Sequence, residues 1–267
     1  IKNYFKIAFR NIKRYSAHSI LNVSGMAIGM ACAILLLLWV QNELSYDRYY
    51  KNADCLYRVL QTNSLNGKID QSAATPFPLA ATMKEVYPEI KRSTRYHNWL
   101  TSFPKGDNII QGRLAHVDRD FFEMFNIEFI SGDINSALTG PYNIVITEKM
   151  AKRYFGDEDP LGKTMTVSPN YLLTVTGLIK DIPQNSHFYA DCLASFEFYT
   201  IRFGGNLDDL NKWNDVYNYT FIELAKGSDS KLVEEKIKGI IQRNVKGSNA
   251  EIFLQNIKNI HLHSQGN

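Results

Sequence analysis

Cysteines and metal-binding spacings are scarce in this sequence. Only three of its 267 residues are cysteines, and Cys32, Cys55 and Cys192 lie in no CxxC or Cys-His spacing. This excludes the common zinc and thiol redox motifs. Cys32 lies in an apolar run, where we expect it to pack. Cys55 and Cys192 could pair outside the cytoplasm, but two cysteines in so large a region favour free thiols.

Acidic residues are absent from the first 40 positions, which contain five basic ones: Lys2, Lys6, Arg10, Lys13 and Arg14. The rest of the chain carries 25 basic and 27 acidic side chains and is nearly neutral. A nucleic-acid-binding protein needs clustered Lys and Arg. The only such cluster here precedes an apolar run, so we interpret it as a membrane-topology signal and expect no nucleic-acid partner.

Charged side chains are also missing between Tyr15 and Asn42, and the stretch 28–40 is apolar throughout. About 20 residues at 1.5 Å rise cross ~30 Å of hydrocarbon. We therefore predict a transmembrane helix over residues 16–42. All flanking positive charges precede it, so the positive-inside rule places the N-terminus in the cytoplasm and the main domain outside it.

A cleaved signal peptide is the alternative to this transmembrane helix. Its cleavage site would follow the apolar region. The only A-x-A pattern, Ala31 to Ala33, instead precedes seven strongly apolar residues. This order favours an uncleaved span.

Residues 1–15 have the pattern of an amphipathic helix lying on the inner membrane surface. Phe5, Ala8, Phe9 and Ile12 recur at helical spacing between the five basic residues. Such a helix buries its apolar face in the lipid interface and pairs its cations with headgroups. We therefore expect membrane lipid as a partner.

Within the predicted span, Gly25 and Gly29 form a G-x-x-x-G motif that Ala33 continues. Small residues at this spacing let another helix approach closely. These three residues are our helix-packing candidates. Aromatic residues flank the span, and we assign them to the membrane interface; they are Tyr4, Tyr15, Trp39, Tyr46, Tyr49 and Tyr50.

Beyond the span we predict an α+β domain. A helical stalk is predicted over residues 43–52, with a tight turn at Asn66-Gly67. Two β-α-β units follow from hydrophobic periodicity, one early and one near the C-terminus. The first comprises residues 55–62, 78–87 and 93–100; the second comprises residues 217–224, 230–243 and 251–254.

The middle, residues 112–195, has more strand signals and is predicted to be an inserted lobe. Asp118 is the predicted N-cap of a helix over residues 119–125, whose phenylalanines face a core. A strand over residues 143–146 leads to a helix over residues 148–155. That helix has Thr147 as its N-cap and Gly156 as its stop. Residues 163–167 and 172–179 form a predicted hairpin.

Three motifs with catalytic or ligand-binding residue types fail on spacing. Gly162-Lys163-Thr164 resembles the end of a P-loop, but five residues instead of four separate Gly156 from Gly162, and three are acidic. We predict a turn. Asp181, Ser186 and His187 crowd into one loop and cannot adopt triad geometry.

His261 and His263 would share one face of a strand, but a third metal ligand is missing nearby. A packed strand end is the prediction there. We therefore predict no catalytic, cofactor-binding or metal-binding residue, and no enzymatic activity on this chain.

With these elements in order, the chain resembles the MacB/FtsX-type ABC transporter permeases of the mechanotransmission class. Matching segments cover the amphipathic and first membrane helices, the stalk, the periplasmic core and its later strands. They are residues 5–32, 43–59, 117–133, 146–165, 175–188 and 253–264. Each segment is moderately specific, and their order over about 260 residues makes the match strong.

The resemblance implies a two-lobed periplasmic domain. A membrane-proximal "Porter" lobe would comprise residues 43–111 and 196–267, with a "Sabre" lobe, residues 112–195, inserted. It implies a permease dimer in the bacterial inner membrane and a separate cytoplasmic ABC ATPase subunit. A periplasmic adaptor or substrate would be a further partner, serving efflux, lipoprotein release or envelope remodelling.

The family continues through at least three more membrane helices, so we expect the sequence to be an N-terminal portion of a permease. Two other functions stay open. The alternative is the membrane-tethered ligand-sensing domain of a signalling receptor. A membrane-anchored enzyme is a third option, but it lacks a convincing catalytic set. The basic amphipathic helix favours the permease.

Overall fold

The structure is a computed structural model that describes residues 2–65 and 68–263. The chain divides into two compact units, Ile1–Ser45 and Tyr46–Asn267. The predicted turn at Asn66-Gly67 lies outside the described residues.

The first unit consists of two helices, α1 (Lys2–Arg14) and α2 (Ser16–Ser45). Helix α1 covers residues 2–14 of the predicted amphipathic segment. Its last turn holds Lys13 and Arg14, whose charges favour a helix C-terminus. Within residues 2–65 and 68–263, α2 is the one helix long and apolar enough to cross a membrane. At 1.5 Å per residue its 30 residues exceed the thickness of a hydrocarbon layer.

The second unit is a mixed α/β domain built on one sheet. In the part of the chain that the structure describes, twelve strands join this sheet. The strands are β1 (Leu56–Leu65), β2 (Lys68–Ser72), β3 (Ala74–Pro76), β4 (Ile90–Lys105), β5 (Asn108–Val117), β6 (Phe129–Gly132), β7 (Asn143–Thr147), β8 (Thr164–Val167), β9 (Tyr171–Ile179), β10 (Cys192–Ser195), β11 (Val216–Leu224) and β12 (Glu251–Asn256). The helices are α3 (Leu79–Val86), α4 (Asp120–Met124), α5 (Glu148–Phe155), α6 (Phe196–Arg202), α7 (Ser230–Ile237) and α8 (Ile240–Asn244).

Strands of the two predicted β-α-β units interleave. The sheet order is β12-β1-β11-β4, with β1 antiparallel to both β11 and β12, and β4 antiparallel to β11. This is the split β-α-β arrangement of ferredoxin-like folds. The α+β fold class is thereby confirmed.

The same sheet continues from β4 into the middle of the chain. Strand β5 pairs with β4 over ten residue pairs, and the order then runs β10-β7-β9-β6, with β8 on β9. The predicted hairpin of β8 and β9 is confirmed. Strand β5 crosses the boundary predicted between residues 111 and 112, so the two-lobe division stays a proposal.

Apolar side chains cover both faces of the β-α-β portion. On one face Leu79 and Met83 of α3 pack with Val233 and Ile237 of α7. The other face has a phenylalanine cluster, which includes the Phe121, Phe122 and Phe125 predicted to face a core. Each such fully buried side chain contributes about 1.5–3 kcal/mol.

Two local predictions near the helices are wrong. Asp118 does not cap α4; its carboxylate accepts hydrogen bonds from the backbone and side chain of Arg95, on the neighbouring strand β4. The helix predicted over residues 230–243 is two helices. They are separated at Gly239, which is the N-cap of α8, and the first helix ends at Ile237.

Candidate functional site

The segment that follows α2 in the sequence, residues 46–52, is called the linking segment. Helix α2 ends at Ser45, and Asp47 adopts a left-handed backbone conformation with φ +54°. Aspartate tolerates this region better than most residues, but a helix cannot continue through it. The prediction of a helical stalk to Asn52 is therefore wrong.

The carboxylate of Asp47 is fully buried and bonded to a distant loop. Its Oδ1 accepts from the backbone N–H of His187 at 3.0 Å, and its Oδ2 is bonded to the Nδ1 of the same residue. The Asp47 N–H donates to the carbonyl of Asn185 at 3.0 Å. A buried carboxylate is tolerated only with such partners, since an unpaired one costs several kcal/mol.

Tyr50 fixes the linking segment to the same loop. Its side chain is 3% exposed, and its hydroxyl lies 2.8 Å from Ser186 Oγ. The Tyr49 hydroxyl donates to the Tyr50 hydroxyl. Burial raises the pKa of Tyr50 well above its ordinary value, so the phenol stays protonated and can donate. The Tyr50 ring packs against Phe125 and Phe188.

The membrane-interface assignment is therefore wrong for Tyr50, which belongs to the domain core. Tyr46 also has a partner in the domain. Its ring stacks on His261 with centroids 3.6 Å apart and planes 3° from parallel. His187 packs edge-on against both rings at 5.8 Å.

The structure also corrects the predicted strand at His261 and His263. Both residues follow a 3-10 helix, Ile257–Asn259, and lie in a turn. The His261 ring therefore stacks on Tyr46 of the linking segment, and His261 does not lie on a strand with His263.

Two further hydrogen bonds attach the end of the linking segment to the sheet and to the residue that follows the C-cap of α4. The Lys51 N–H donates to Asn126 Oδ1 at 3.1 Å, just after α4. Asn52 Nδ2 donates to Glu223 Oε1 on β11 at 3.1 Å. Glu223 is nearly buried and also accepts from Arg92 Nη1 at 2.9 Å. The segment is therefore held by four parts of the chain that are far apart in sequence.

The loop that receives the linking segment contains the three residues considered for a triad. Each bonds elsewhere: Asp181 Oδ1 accepts from the Lys149 N–H at the start of α5, while Ser186 and His187 bond to Tyr50 and Asp47. The loop prediction is confirmed. Asp181 therefore joins the loop to the start of α5, and Ser186 and His187 join it to the linking segment.

The predicted turn at Gly162 is confirmed as well. Gly162 has φ +76°, its N–H donates to the carbonyl of Val175 at 2.8 Å, and Lys163 pairs with Glu158. Helix α5 has the predicted bounds, with Thr147 Oγ1 accepting from the Met150 N–H.

The helix-packing candidates of the first unit lie on α2, and its basic residues lie on α1. Gly25 and Gly29 have no atom within 4 Å of an added Cβ, so a second helix could approach this face of α2. That contact, which would include Ala33, stays a prediction. Lys6, Arg10, Lys13 and Arg14 are exposed on α1, while the side chain of Lys2 is outside the description.

Metal-binding and thiol chemistry find little support in the described residues. Between residues 2 and 263, apart from 66 and 67, no group of three His, Cys, Asp or Glu residues could hold a metal. Cys32, Cys55 and Cys192 are free thiols, as favoured from the sequence. Burial raises the pKa of Cys192 well above its ordinary value, so this thiol stays protonated at neutral pH.

Comparisons with known proteins agree with this fold. The sequence model of the family described as the MacB-like periplasmic core domain matches residues 19–240. No curated protein matches the sequence. Three of the solved structures that match are similar over three quarters or more of this chain, and at identities of 20% or less they show the fold alone.

The first similar structure is a domain of a protein assigned as a permease from Porphyromonas gingivalis, with TM-score 0.68 and 20% identity, covering 79% of this chain and 92% of that one. The second is the periplasmic region of MacB from Actinobacillus actinomycetemcomitans, with TM-score 0.57 and 14% identity, covering 79% and 94%. The third is the extracellular domain of the noncanonic ABC-type transporter YknZ from Gram-positive bacteria, with TM-score 0.58 and 16% identity, covering 75% and 100%.

Proposed function

Because the chain belongs to the family of the MacB-like periplasmic core domain, we propose that it is a permease subunit of an ABC transporter that couples cytoplasmic ATP hydrolysis to movement of its outer domain. The observation that carries this proposal is the anchoring of the linking segment. Asp47 and Tyr50 bond to His187 and Ser186 of one loop, and Asn52 bonds to Glu223 on β11. A displacement of α2 would thus be passed to the domain without a flexible linker.

The composition of the linking segment supports the same function. A tether that only anchors a domain is typically rich in Gly, Ser or Pro. Residues 46–52 contain none of these, and three of the seven are tyrosines. Buried aromatic contacts and charge-assisted hydrogen bonds resist bending, as force transmission requires.

The proposed partners follow from this function. A separate cytoplasmic ABC ATPase subunit supplies the hydrolysis, and a second permease subunit completes a dimer. Gly25, Gly29 and Ala33 offer a helix-packing face for such assembly. An adaptor or substrate engages the domain in the periplasm, for efflux, lipoprotein release or envelope remodelling.

The proposed location is the bacterial inner membrane, with a cytoplasmic N-terminus and α1 on the inner lipid surface. The exposed cations of α1 support this orientation. The domain itself is proposed to have two lobes, with residues 112–195 inserted between residues 43–111 and 196–267.

Purification of the full-length protein from its native membranes in mild detergent tests this function. We expect a stoichiometric nucleotide-binding subunit and vanadate-sensitive ATP hydrolysis in the purified fraction. Mock-purified membranes from cells without the tag provide the control. Recovery of the protein with a sensor kinase, or with no ATPase across several detergents, would contradict the proposal and support the receptor alternative.

A further inference from the structure

A cavity of about 280 Å³ lies away from the linking segment, where α6, the 3-10 helix Leu207–Asn211 and β11 meet. Four aromatic rings and two carboxylates contribute to its lining. We call this the aromatic pocket; these six residues are Phe77, Tyr199, Phe203, Asp209, Asp215 and Tyr217. Its volume is at the small end of the range for ligand pockets.

The rings of the aromatic pocket form a continuous wall. Tyr199 lies 5.6 Å from Phe77 and 5.0 Å from Phe203, and Tyr217 lies 6.4 Å from Phe77, measured between ring centroids. Phe203 and Tyr217 remain 54% and 61% exposed. Aromatic side chains this exposed leave apolar area uncovered that a ligand could bury.

Asp209 is held by a direct ion pair and a hydrogen bond, whereas Asp215 acts on the nearby Lys212 through its charge without a direct bond. Asp209 pairs with Lys212 Nζ at 2.5 Å and accepts from the Asn206 N–H at 2.8 Å. Asp215 makes no hydrogen bond or ion pair with any residue in the ranges 2–65 and 68–263. Its negative charge reaches the pocket, since burial first, then Tyr217 and Asp215, raise the pKa of Tyr199.

Cations near the pocket are already engaged. Lys212 is held by Asp209, and the Arg202 guanidinium lies over Trp99 and Phe203, 5.6 Å from each ring centroid. His97 bonds through Nδ1 to the Tyr217 carbonyl, and burial lowers its pKa, so this ring is neutral. Among the described residues, no cation lies over Tyr199 or Tyr217.

We propose that the aromatic pocket binds an organic ammonium group, with Asp215 as its counter-ion and the rings of Tyr199 and Tyr217 as its cation-π partners. Aromatic faces next to a carboxylate are the usual recognition chemistry for amines and quaternary ammonium groups. The ammonium could belong to a free small molecule or to a lysine side chain of a partner protein. The proposal does not depend on the transport function, because it rests on the pocket alone.

Saturation-transfer NMR on the full chain in nanodiscs tests the proposal, with choline and Nα-acetyl-lysine amide as the two probes. The uncharged control probes are 3,3-dimethylbutanol, which has the shape of choline, and the side-chain acetylated lysine. We expect at least one cationic probe to bind five-fold or more tightly than its uncharged analogue. A stronger choline signal identifies a free amine as the source, and a stronger lysine signal identifies a protein side chain.

Four variants then locate the binding. Asp215→Asn is expected to lower the affinity for the probe at least five-fold. Asp208 is an exposed neighbour outside the lining, and Asp208→Asn is expected to leave this affinity unchanged. Tyr217→Leu removes the ring and weakens binding, whereas Tyr217→Phe retains it. Each variant is compared with the parent by circular dichroism and thermal unfolding. Equal binding of charged and uncharged probes, or no effect of Asp215→Asn in a folded variant, overturns the proposal.

Discussion

Asp47 and His187 lie 140 positions apart, yet one side chain bonds both the backbone N–H and the imidazole of the other. The contact fixes the start of the second unit to the loop before β10. The buried carboxylate of Asp47 is bonded to the backbone N–H and the ring of this histidine, while the Asp47 backbone N–H donates to the Asn185 carbonyl. The proposed force transmission therefore passes through a small number of identifiable groups.

Loss of the Asp47 charge is expected to destabilise the domain. Asp47→Asn keeps the left-handed backbone tolerable but presents an amide N–H₂ or a neutral oxygen to His187 Nδ1. We expect the free energy of unfolding to fall by about 1.5–3 kcal/mol. Urea unfolding followed by near-UV circular dichroism measures it. Asp54→Asn is the matched control, because Asp54 forms an ion pair with Lys258 on the surface. This substitution should lower the free energy of unfolding by less than about 0.5 kcal/mol. Equal losses in the two variants would contradict the account.

The hydroxyl contact between Tyr50 and Ser186 gives a second prediction. Tyr50→Phe and Ser186→Ala should each cost about 1 kcal/mol, because each leaves a buried partner without its hydrogen bond. The double variant should cost less than the sum, with a coupling of about 0.5–1.5 kcal/mol. A double-mutant cycle by urea unfolding measures this coupling. Strictly additive losses would show that the two hydroxyls do not interact.

His116 predicts a loss of stability in acid. It is fully buried, its Nδ1 bonds to the Ser195 carbonyl, and burial lowers its pKa to about 3. Above pH 6.5 the imidazole is neutral in both states. Below that, the unfolded chain binds a proton that the folded domain does not, so stability falls by up to about 1.4 kcal/mol per pH unit until pH 3.

The measurement compares the parent with His116→Gln at pH 7.5 and pH 5.0. The unfolded chain gains a proton on His116 as the pH falls. The free energy of unfolding of the parent should therefore fall by about 2 kcal/mol more than that of the variant between pH 7.5 and pH 5.0. His97, whose pKa burial also lowers, is present in both proteins and acts in the same direction in each. Parallel pH profiles would mean that His116 is protonated in the folded domain.

The three cysteines should react with a thiol reagent as free thiols. In denaturant without reductant, a thiol reagent is expected to modify Cys32, Cys55 and Cys192 in protein purified from its native compartment. In the folded protein Cys192 should react slowest, since it is buried in β10. Intact mass before and after reduction checks this. A mass increase of two hydrogens on reduction would reveal a Cys55–Cys192 disulfide.

Elements specified by local sequence could be predicted. The uncharged run of α2, the Thr147 cap and Gly156 stop of α5, and the alternating residues of β9 and β11 each carry their own signal. Tertiary contacts stabilise these elements but do not change the secondary structure that their local sequence favours.

The linking segment shows why the rest could not be predicted. Nothing in the sequence around Asp47 is incompatible with a helix, and its left-handed backbone is held by Asn185 and His187, more than 130 positions later. Likewise, tyrosines beside a span favour a membrane interface, and only the tertiary fold brings Phe125 and Phe188 against Tyr50. Tertiary contacts override local preference at these sites.

The central claim, that the linking segment passes movement of α2 to the domain, is tested most directly in the complex of permease and ATPase. Spin labels at Glu85→Cys in both permease copies report the distance between domains, with Cys32 and Cys55 replaced by serine. We predict an ATP-dependent distance change that is lost when Gly-Ser-Gly-Ser is inserted between Ser45 and Tyr46, while ATP hydrolysis continues.

The same insertion after Gly227, in the loop between β11 and α7, is the control and should leave the distance change intact. An ATP-dependent change of undiminished size in the protein with the insertion before Tyr46 would contradict the account and make the segment a passive tether.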